Sequence, residues 1–249
     1  MNNPFISIIM AAYNAERTIG AAIESVLSQT YSHYELIVID DHSTDRTVQV
    51  VQSFHDDRIV LLSHARNMGV AHSRHDGVEH ARAEWISILD SDDLWRPDKL
   101  EREVHHQEAT GGDLIFTGSL FIYDDGRLVN WVQHAPKQIV YRTLLRHNAI
   151  PNSSTLIRKE LFQRYEVISD HVHEDYACWL RLLRDGYTAF GIDEPMITYR
   201  LTTNARTGNK WKSMRMNWRT YRYVGLSIPA SLYYMVWYIS HGLRKYANF

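Results

Sequence analysis

Three observations predict an α/β fold: a mostly parallel Rossmann-like sheet flanked by helices, with a small antiparallel element and a C-terminal helical tail. Apolar runs of strand length alternate with amphipathic helical segments through the first half of the chain. Two of those runs, Glu35 to Asp41 and Trp85 to Asp93, end abruptly in carboxylates. From Pro195 onward there are nine Lys or Arg and no Asp or Glu, which leaves 18 basic against 29 acidic residues before that point. With 249 residues, 45 % of them apolar, the chain is long enough to bury a sizeable core.

Phe5 to Asn14 begins as a buried strand and ends in the small residues Ala11 and Ala12, then Tyr13 and Asn14. Small side chains let a flat ligand approach the backbone, and Tyr13 offers a stacking face. Asn14 also fits ordinary turn chemistry. Ile19, Ile23, Val26 and Leu27 repeat on one helical face. The second strand, Glu35 to Asp41, is followed by N-cap candidates Ser43, Thr44 and Asp45 for a helix bearing Val48, Val51 and Phe54. Ile59 to Leu62 reads as a third strand, and Arg66-Asn67-Met68-Gly69 opens a helix through Val78 and Ala81. Trp85 to Leu89 is the fourth strand. Right-handed crossovers then bring Tyr13, Asp41 and Asp90 to Asp93 to one crevice at the strands' C-terminal ends.

Asp90, Asp92 and Asp93 crowd negative charge that calls for a positive partner, and a hard divalent cation bridging phosphates suits them. The plain alternative is a polar turn in which Asp93 or Asp98 caps the next helix. Neither a Gly-x-Gly-x-x-Gly after the first strand nor a Walker lysine loop is present, so a diphosphate beside these acids needs a metal as intermediary. After Asp113 the rhythm changes. Leu114 to Tyr123 and Leu128 to Val132 flank the turn Asp124-Asp125-Gly126 as an expected hairpin, and residues 134–160 read as loop-rich walls suited to an acceptor. His173 to Tyr176 opens a helix that stops at Gly186. Asp175 is either a helix-dipole partner or a general base aimed across the crevice. Cys178 in that helix excludes an internal disulfide framework, points to a reducing compartment and reads as a buried structural thiol.

Ser7 to Asn14, Glu35 to Asp45, Arg66 to Ala71, Leu89 to Trp95 and Glu174-Asp175, in that order over roughly residues 4–200, resemble the family-2 glycosyltransferases. These are inverting enzymes with a nucleotide-diphospho-sugar transferase (GT-A type) fold. The resemblance implies that Asp41 contacts the nucleotide base, that Ala12 and Tyr13 line the same pocket, and that Arg74 and Ser91 help to hold the nucleotide. It further implies that Asp90 faces the ribose or the metal's water shell, that Asp92 ligates Mg2+ or Mn2+, with Asp90 beside it, and that Asp175 deprotonates the acceptor hydroxyl. An α-linked donor then yields a β-glycoside. Departures are Ala83 in place of a usual Gly, His75 in place of a usual Asn, and Thr202 near a usual His; Arg200, Arg206 or Lys210 would replace that histidine's positive charge.

The tail places Trp211, Met214, Trp218, Tyr221 and Val224 at helical spacing among five basic residues, the composition of a helix lying on an anionic membrane surface. An amphipathic helix packed on the preceding domain has the same pattern. Tyr223 to Leu243 carries no charge, but Pro229, serines, tyrosines and His241 favour a kinked interfacial segment over a span. No signal peptide is visible before the first strand.

The expected organisation is a catalytic domain at 1–208, with a nucleotide-binding half to about residue 112 and an acceptor half over about 113–208, followed by the tail at 209–249. The expected activity is transfer of a hexose or N-acetylhexosamine from a nucleotide-diphosphate sugar, UDP foremost, to a polyprenyl-diphosphate-linked saccharide. The setting is O-antigen or capsule synthesis on the cytoplasmic face of the inner membrane, with no nucleic acid as partner. A same-fold sugar nucleotidyltransferase and a non-catalytic nucleotide-sugar or membrane-surface binding module are the rivals. Ala11 to Ala15 is a poor substitute for the nucleotidyltransferase's Gly-rich loop.

Overall fold

The computed structural model describes residues 5–201 and 210–246. The elements are β1 (Ile6–Ala12), α1 (Ile19–Leu27), β2 (Tyr34–Asp40), α2 (Thr47–Gln52), β3 (Ile59–Ser63), α3 (Val70–His80), β4 (Trp85–Ile88), β5 (Leu94–Trp95) and α4 (Lys99–Thr110). They continue with β6 (Leu114–Tyr123), β7 (Gln138–Ile139), α5 (Tyr141–Leu144), β8 (Thr155–Arg158), α6 (Lys159–Tyr165), α7 (Glu174–Arg184), β9 (Ala189–Leu201), α8 (Lys210–Tyr223) and α9 (Ile228–Tyr246).

The period of two along each strand divides its side chains between two buried layers. Ile6, Ile8, Met10 and Ala12 of β1, with Leu36 and Val38 of β2, pack against Ile19, Ile23 and Val26 of α1. Ile9, Ile37, Ile39, Ile86 and Ile88 point the other way and join Val78 and Ala81 at the α3 end of the second core. Both faces of the sheet are covered, which is why these strands read as continuous apolar runs.

The strands follow the order β3-β2-β1-β4-β8-β6-β9-β5, with β7 pairing β9. Pairs β1–β2, β2–β3, β1–β4 and β6–β9 are parallel. Pairs β4–β8, β6–β8, β5–β9 and β7–β9 are antiparallel. The sheet is therefore mixed, not mostly parallel, because β8 enters antiparallel between β4 and β6 and β9 pairs antiparallel with β5 and β7. The expected hairpin at Asp124 to Gly126 is reduced to two isolated bridges, Ser119 with Gln133 and Ile122 with Leu128. After β3 the chain returns to the other side of β1, so a topological switch point lies between the C-terminal ends of β1 and β4, where such sheets bind ligands.

At the opposite edge Glu35 accepts from Ser7 Oγ at 2.6 Å and from Arg82 N and Nε at 2.9 and 2.8 Å. Ala83 N donates to Ser7 Oγ at 3.1 Å, so the alanine is accommodated. His75, the other tolerated departure, pairs with Glu166 at 2.8 Å.

The tail helices belong to the packed body. Met216 and Tyr221 of α8 and Val224 just after it are buried, Tyr221 completely, and the Tyr221 hydroxyl donates to Leu145 O at 2.8 Å. Of the two readings open for the amphipathic pattern, α8 therefore realises packing against the domain. Among the described residues no helix is long and apolar enough to cross a membrane. Removing a fully buried aromatic side chain and its hydrogen bond costs about 3–5 kcal/mol. Tyr221→Ala is expected to lower stability by that order in a urea melt; a midpoint unchanged from the parent would mean that α8 is not part of the cooperative fold.

Candidate active site

Strand termini, two loops and the start of α7 converge on one crevice of about 1350 Å³ at the switch point. Single-ligand pockets run to roughly 1,000 Å³, so there is room for two substrates. Tyr13, Arg74, Asp90, Ser91, Asp92 and Asp175 all line it. Tyr13 is 52 % exposed there, available for stacking.

Ala12 and Asp41, both expected at the nucleotide, do not line the crevice; they lie behind it, 2 % and 3 % exposed. Ala12 O accepts from Asp41 N at 2.8 Å. The Asp41 carboxylate accepts from Met68 N at 2.7 Å, Gly69 N at 2.8 Å and His64 Nδ1 at 2.8 Å. These bonds hold its pKa below the ordinary value against the opposing effect of burial. Asp41 thus fastens the Arg66–Gly69 loop to the end of β2. Gly69 has φ +90°, and a Cβ there would fall 1.9 Å from Asp170 Oδ2, so glycine is required. Asn14 takes a left-handed φ of +49° as its turn chemistry allows; its amide oxygen accepts from Thr44 N at 2.8 Å, tying the loops after β1 and β2 together.

The acidic stretch after β4 is braced from behind. Ser153 Oγ donates to Asp93 Oδ2 at 2.6 Å and accepts from Asp90 N at 3.2 Å, while Trp95 Nε1 donates to Ser153 O at 2.7 Å. Arg200 N donates to Asp93 Oδ1 and its Nε to Asp92 O, both at 3.1 Å. Arg200 therefore brings positive charge to the acids, while Thr202, Arg206 and the Lys210 side chain lie outside the described residues. Asp93 is 1 % exposed and serves this bracing; burial and the charges of Asp92 and Asp90 push its pKa up. Neither Asp93 nor Asp98 makes a side-chain cap for α4; Asp98 pairs with Arg96 instead.

Asp92 differs. Among the described residues its carboxylate accepts no hydrogen bond from another residue, and burial together with the Asp90 charge pushes its pKa above the ordinary carboxylate value. An unpaired carboxylate at the crevice, with Asp90 beside it, suits a hard cation that keeps waters and takes phosphate oxygens. Among the described residues no group of three or more His, Cys, Asp or Glu is arranged to hold a metal by itself.

Arg74 spans the crevice floor. Its Nη2 donates to Asp90 Oδ1 at 2.5 Å and its Nη1 to Glu174 Oε1 at 2.6 Å. With its amide oriented oxygen-inward, Asn152 accepts from the same guanidinium, 3.0 Å from Nη2 and 3.3 Å from Nε. Arg74, expected to help hold the nucleotide, joins Asp90 after β4 to Glu174 of α7. Asp175 follows Glu174 in the first turn of α7, and Asn148 Nδ2 approaches its Oδ2 at 3.5 Å. Burial, then the Glu174 charge, raise the Asp175 pKa, opposed by His173 and Arg74. A raised, half-buried carboxylate on a rigid helix is suited to accept a proton. Cys178, three residues further along α7, is buried and its thiol pKa raised, as expected of a structural residue.

Within the loop-rich walls expected over residues 134–160, sequence reasoning did not single out Asn148, Asn152 or Ser153. It also placed Tyr238 and His241 in a membrane segment, whereas both line the crevice.

Comparison with known proteins gives the family and the fold. The description of glycosyl transferase family 2 matches residues 7–172. WfgD of Escherichia coli, named UDP-Glc:alpha-D-GlcNAc-diphosphoundecaprenol beta-1,3-glucosyltransferase, is 33 % identical over 248 residues, 99 % of this chain and 97 % of its own length. WfaP of Escherichia coli, with the same named activity, is 29 % identical over 243 residues, 97 % and 95 % of the two chains. The crystal structure of S. aureus TarS 1–349 in complex with UDP-GlcNAc has a TM-score of 0.72 at 16 % identity, over 93 % of this chain and 70 % of that one, and shares the fold. The chain belongs to glycosyl transferase family 2.

Proposed function

We propose that the protein is an inverting glycosyltransferase moving a hexose or N-acetylhexosamine from a nucleotide-diphosphate sugar to a polyprenyl-diphosphate-linked saccharide in surface polysaccharide synthesis. UDP is the nucleotide of choice, since WfgD and WfaP are named for UDP-Glc donors and a diphosphoundecaprenol-linked acceptor. The observation that carries the reading is the arrangement of Asp90 and Asp92 after β4 and Asp175 on α7 around one crevice at the switch point.

Tyr13 stacks on the nucleotide, and Asp41 acts on the base pocket through the loop it fastens. Ser91 and Arg74 help to hold the nucleotide from the floor. Asp92 and Asp90 are the residues that would hold Mg2+ or Mn2+; the cation, when bound, offsets the charge of the diphosphate leaving group. Asp175 takes the proton of the acceptor hydroxyl. That oxygen bonds to the anomeric carbon from the face opposite the diphosphate, the bond from carbon to phosphate oxygen breaks, and its electron pair departs with the nucleoside diphosphate. A single displacement inverts the centre, so an α-linked donor gives a β-glycoside.

The protein is placed on the cytoplasmic face of the inner membrane as a peripheral protein. Ile228, Leu232, Val236, Ile239 and Leu243 form an exposed apolar stripe on α9, and Trp211 is 80 % exposed beside the basic residues of α8. Apolar burial plus attraction to anionic headgroups is the means by which such helices bind bilayers.

Calorimetry against UDP, GDP, CDP and dTDP, each with Mn2+ and with EDTA, tests the donor site. Binding of one nucleotide, lost in EDTA and in Asp92→Ala, is expected; no binding by folded protein would overturn the transferase reading. Asp175→Asn is expected to keep nucleotide affinity and lower kcat by about 10²–10⁴-fold. Because the base must be ionised, rate falls as pH falls through the raised Asp175 pKa, so the acid limb of kcat/KM should lie above the ordinary carboxylate range. A limb at that range, or full activity in Asp175→Asn, assigns the base elsewhere. In flotation, the protein should rise with vesicles containing anionic lipid and not with neutral ones; equal recovery from both would remove the electrostatic part of the membrane reading.

A further inference from the structure

The inner faces of the two C-terminal helices form one wall of the crevice. Ser213 and Asn217 of α8 and Tyr238, His241 and Gly242 of α9 line it together with His147 and Asp175. The wall is organised. Ser213 Oγ and Tyr238 OH share a hydrogen bond of 2.8 Å that joins the helices, and the rings of His147 and His241 stack at 4.2 Å, 10° from parallel. It also buttresses the segment carrying the base: His173 N donates to Thr220 Oγ1 at 2.9 Å, and His173 Nε2 lies 3.3 Å from Ser213 O.

Its chemistry is one-sided. The Ser213 and Tyr238 hydroxyls and the His147 and His241 imidazoles face the crevice as hydrogen-bonding groups, and α8 and α9 contribute no carboxylate to it. Burial, with the adjoining His241, lowers the His147 pKa to about 4, so the stacked pair is not already two cations in need of a fixed counter-charge. Such a wall receives an anionic, multiply accepting group. Its place is set by the neighbours of Asp175: Asn148 touches the base and His147 is the preceding residue, so the wall stands beside Asp175 in the crevice. A different face of α9 carries the exposed apolar stripe.

We propose that α8 and α9 build the acceptor-headgroup subsite, in which His241, His147, Tyr238 and Ser213 bind the phosphate-bearing group at the reducing end of the acceptor sugar. This rests on the transferase reading above and deepens it by assigning the acceptor's phosphate to the C-terminal helices. The same helix then serves both ends of one lipid-linked molecule, holding its headgroup inward and the bilayer outward.

The test uses the full chain and two probes with the same sugar, an N-acetylhexosaminyl diphosphate on a short alkyl chain and the neutral alkyl glycoside. A Cβ on Gly242 meets nothing within 4 Å, so Gly242→Phe fills the crevice wall without a clash at the backbone. The expected result is that the parent prefers the diphosphate probe by at least about tenfold in kcat/KM. His241→Ala should erode that preference, and Gly242→Phe should raise the KM for the diphosphate probe about tenfold while calorimetric nucleotide affinity stays at the parent value. Equal use of the two probes by the parent, or parental KM values in both variants, would overturn the subsite and leave the transferase reading standing. A parent that binds no nucleotide would overturn both.

Discussion

A buried guanidinium holds this molecule's two halves in register. Arg74, on α3, reaches Asp90 just after β4 and Glu174 at the start of α7. Burial by itself would pull its pKa down, but the two carboxylates outweigh burial and keep it charged. Removing one partner from such a buried arrangement leaves an uncompensated charge and typically costs about 3–5 kcal/mol. The arrangement also fixes function, because Asp90 neighbours the proposed cation ligand Asp92 while Glu174 neighbours the proposed base Asp175. In the proposed reaction, donor and acceptor chemistry are set relative to each other by one side chain 8 % exposed, with Asn152 completing its shell.

The remaining brackets serve the same registration. Asp41 fastens the loop that opens α3 and so sets where Arg74 stands. Ser153 and the backbone of Arg200 grip Asp93, so the stretch Asp90 to Asp93 is presented rigidly while Asp92 alone of the three is left toward open space. Catalysis by positioned charges depends on this kind of preorganisation, since dipoles and charges already in place need not reorganise as the reaction proceeds.

Much of this was legible in the sequence because its cause is local. The apolar runs of β1, β2 and β4 and the 3.6-residue repeats of the intervening helices are local signals, and with the handedness of crossovers they place Tyr13, Asp90 and Asp92 at one edge. Partners are not local. Nothing in the spacing distinguishes an Asp41 that meets a ligand from one saturated by Met68, Gly69 and His64, nor an Arg74 that binds a nucleotide from one that bridges two acids. β8 runs antiparallel between β4 and β6, joining Arg158 to Trp85 and Ile157 to Leu114 across the chain, so the mixed character of the sheet had no periodic signature. The tail shows the same limit from another side. An amphipathic pattern says that one face leaves water, and only the packing of Met216 and Tyr221 shows that the α8 face meets protein, while α9 keeps an apolar stripe outside and polar groups toward the crevice.

The central claim is a single displacement between a donor held at the Asp90–Asp92 edge and an acceptor hydroxyl ionised by Asp175. Proton NMR of the product formed from an α-linked nucleotide sugar reads the configuration of the transferred anomeric centre directly. The account predicts a β-linked product from the first turnovers onward. An α-linked product would require two displacements or a front-face reaction, and would contradict the assignment of Asp175 as base opposite the departing diphosphate.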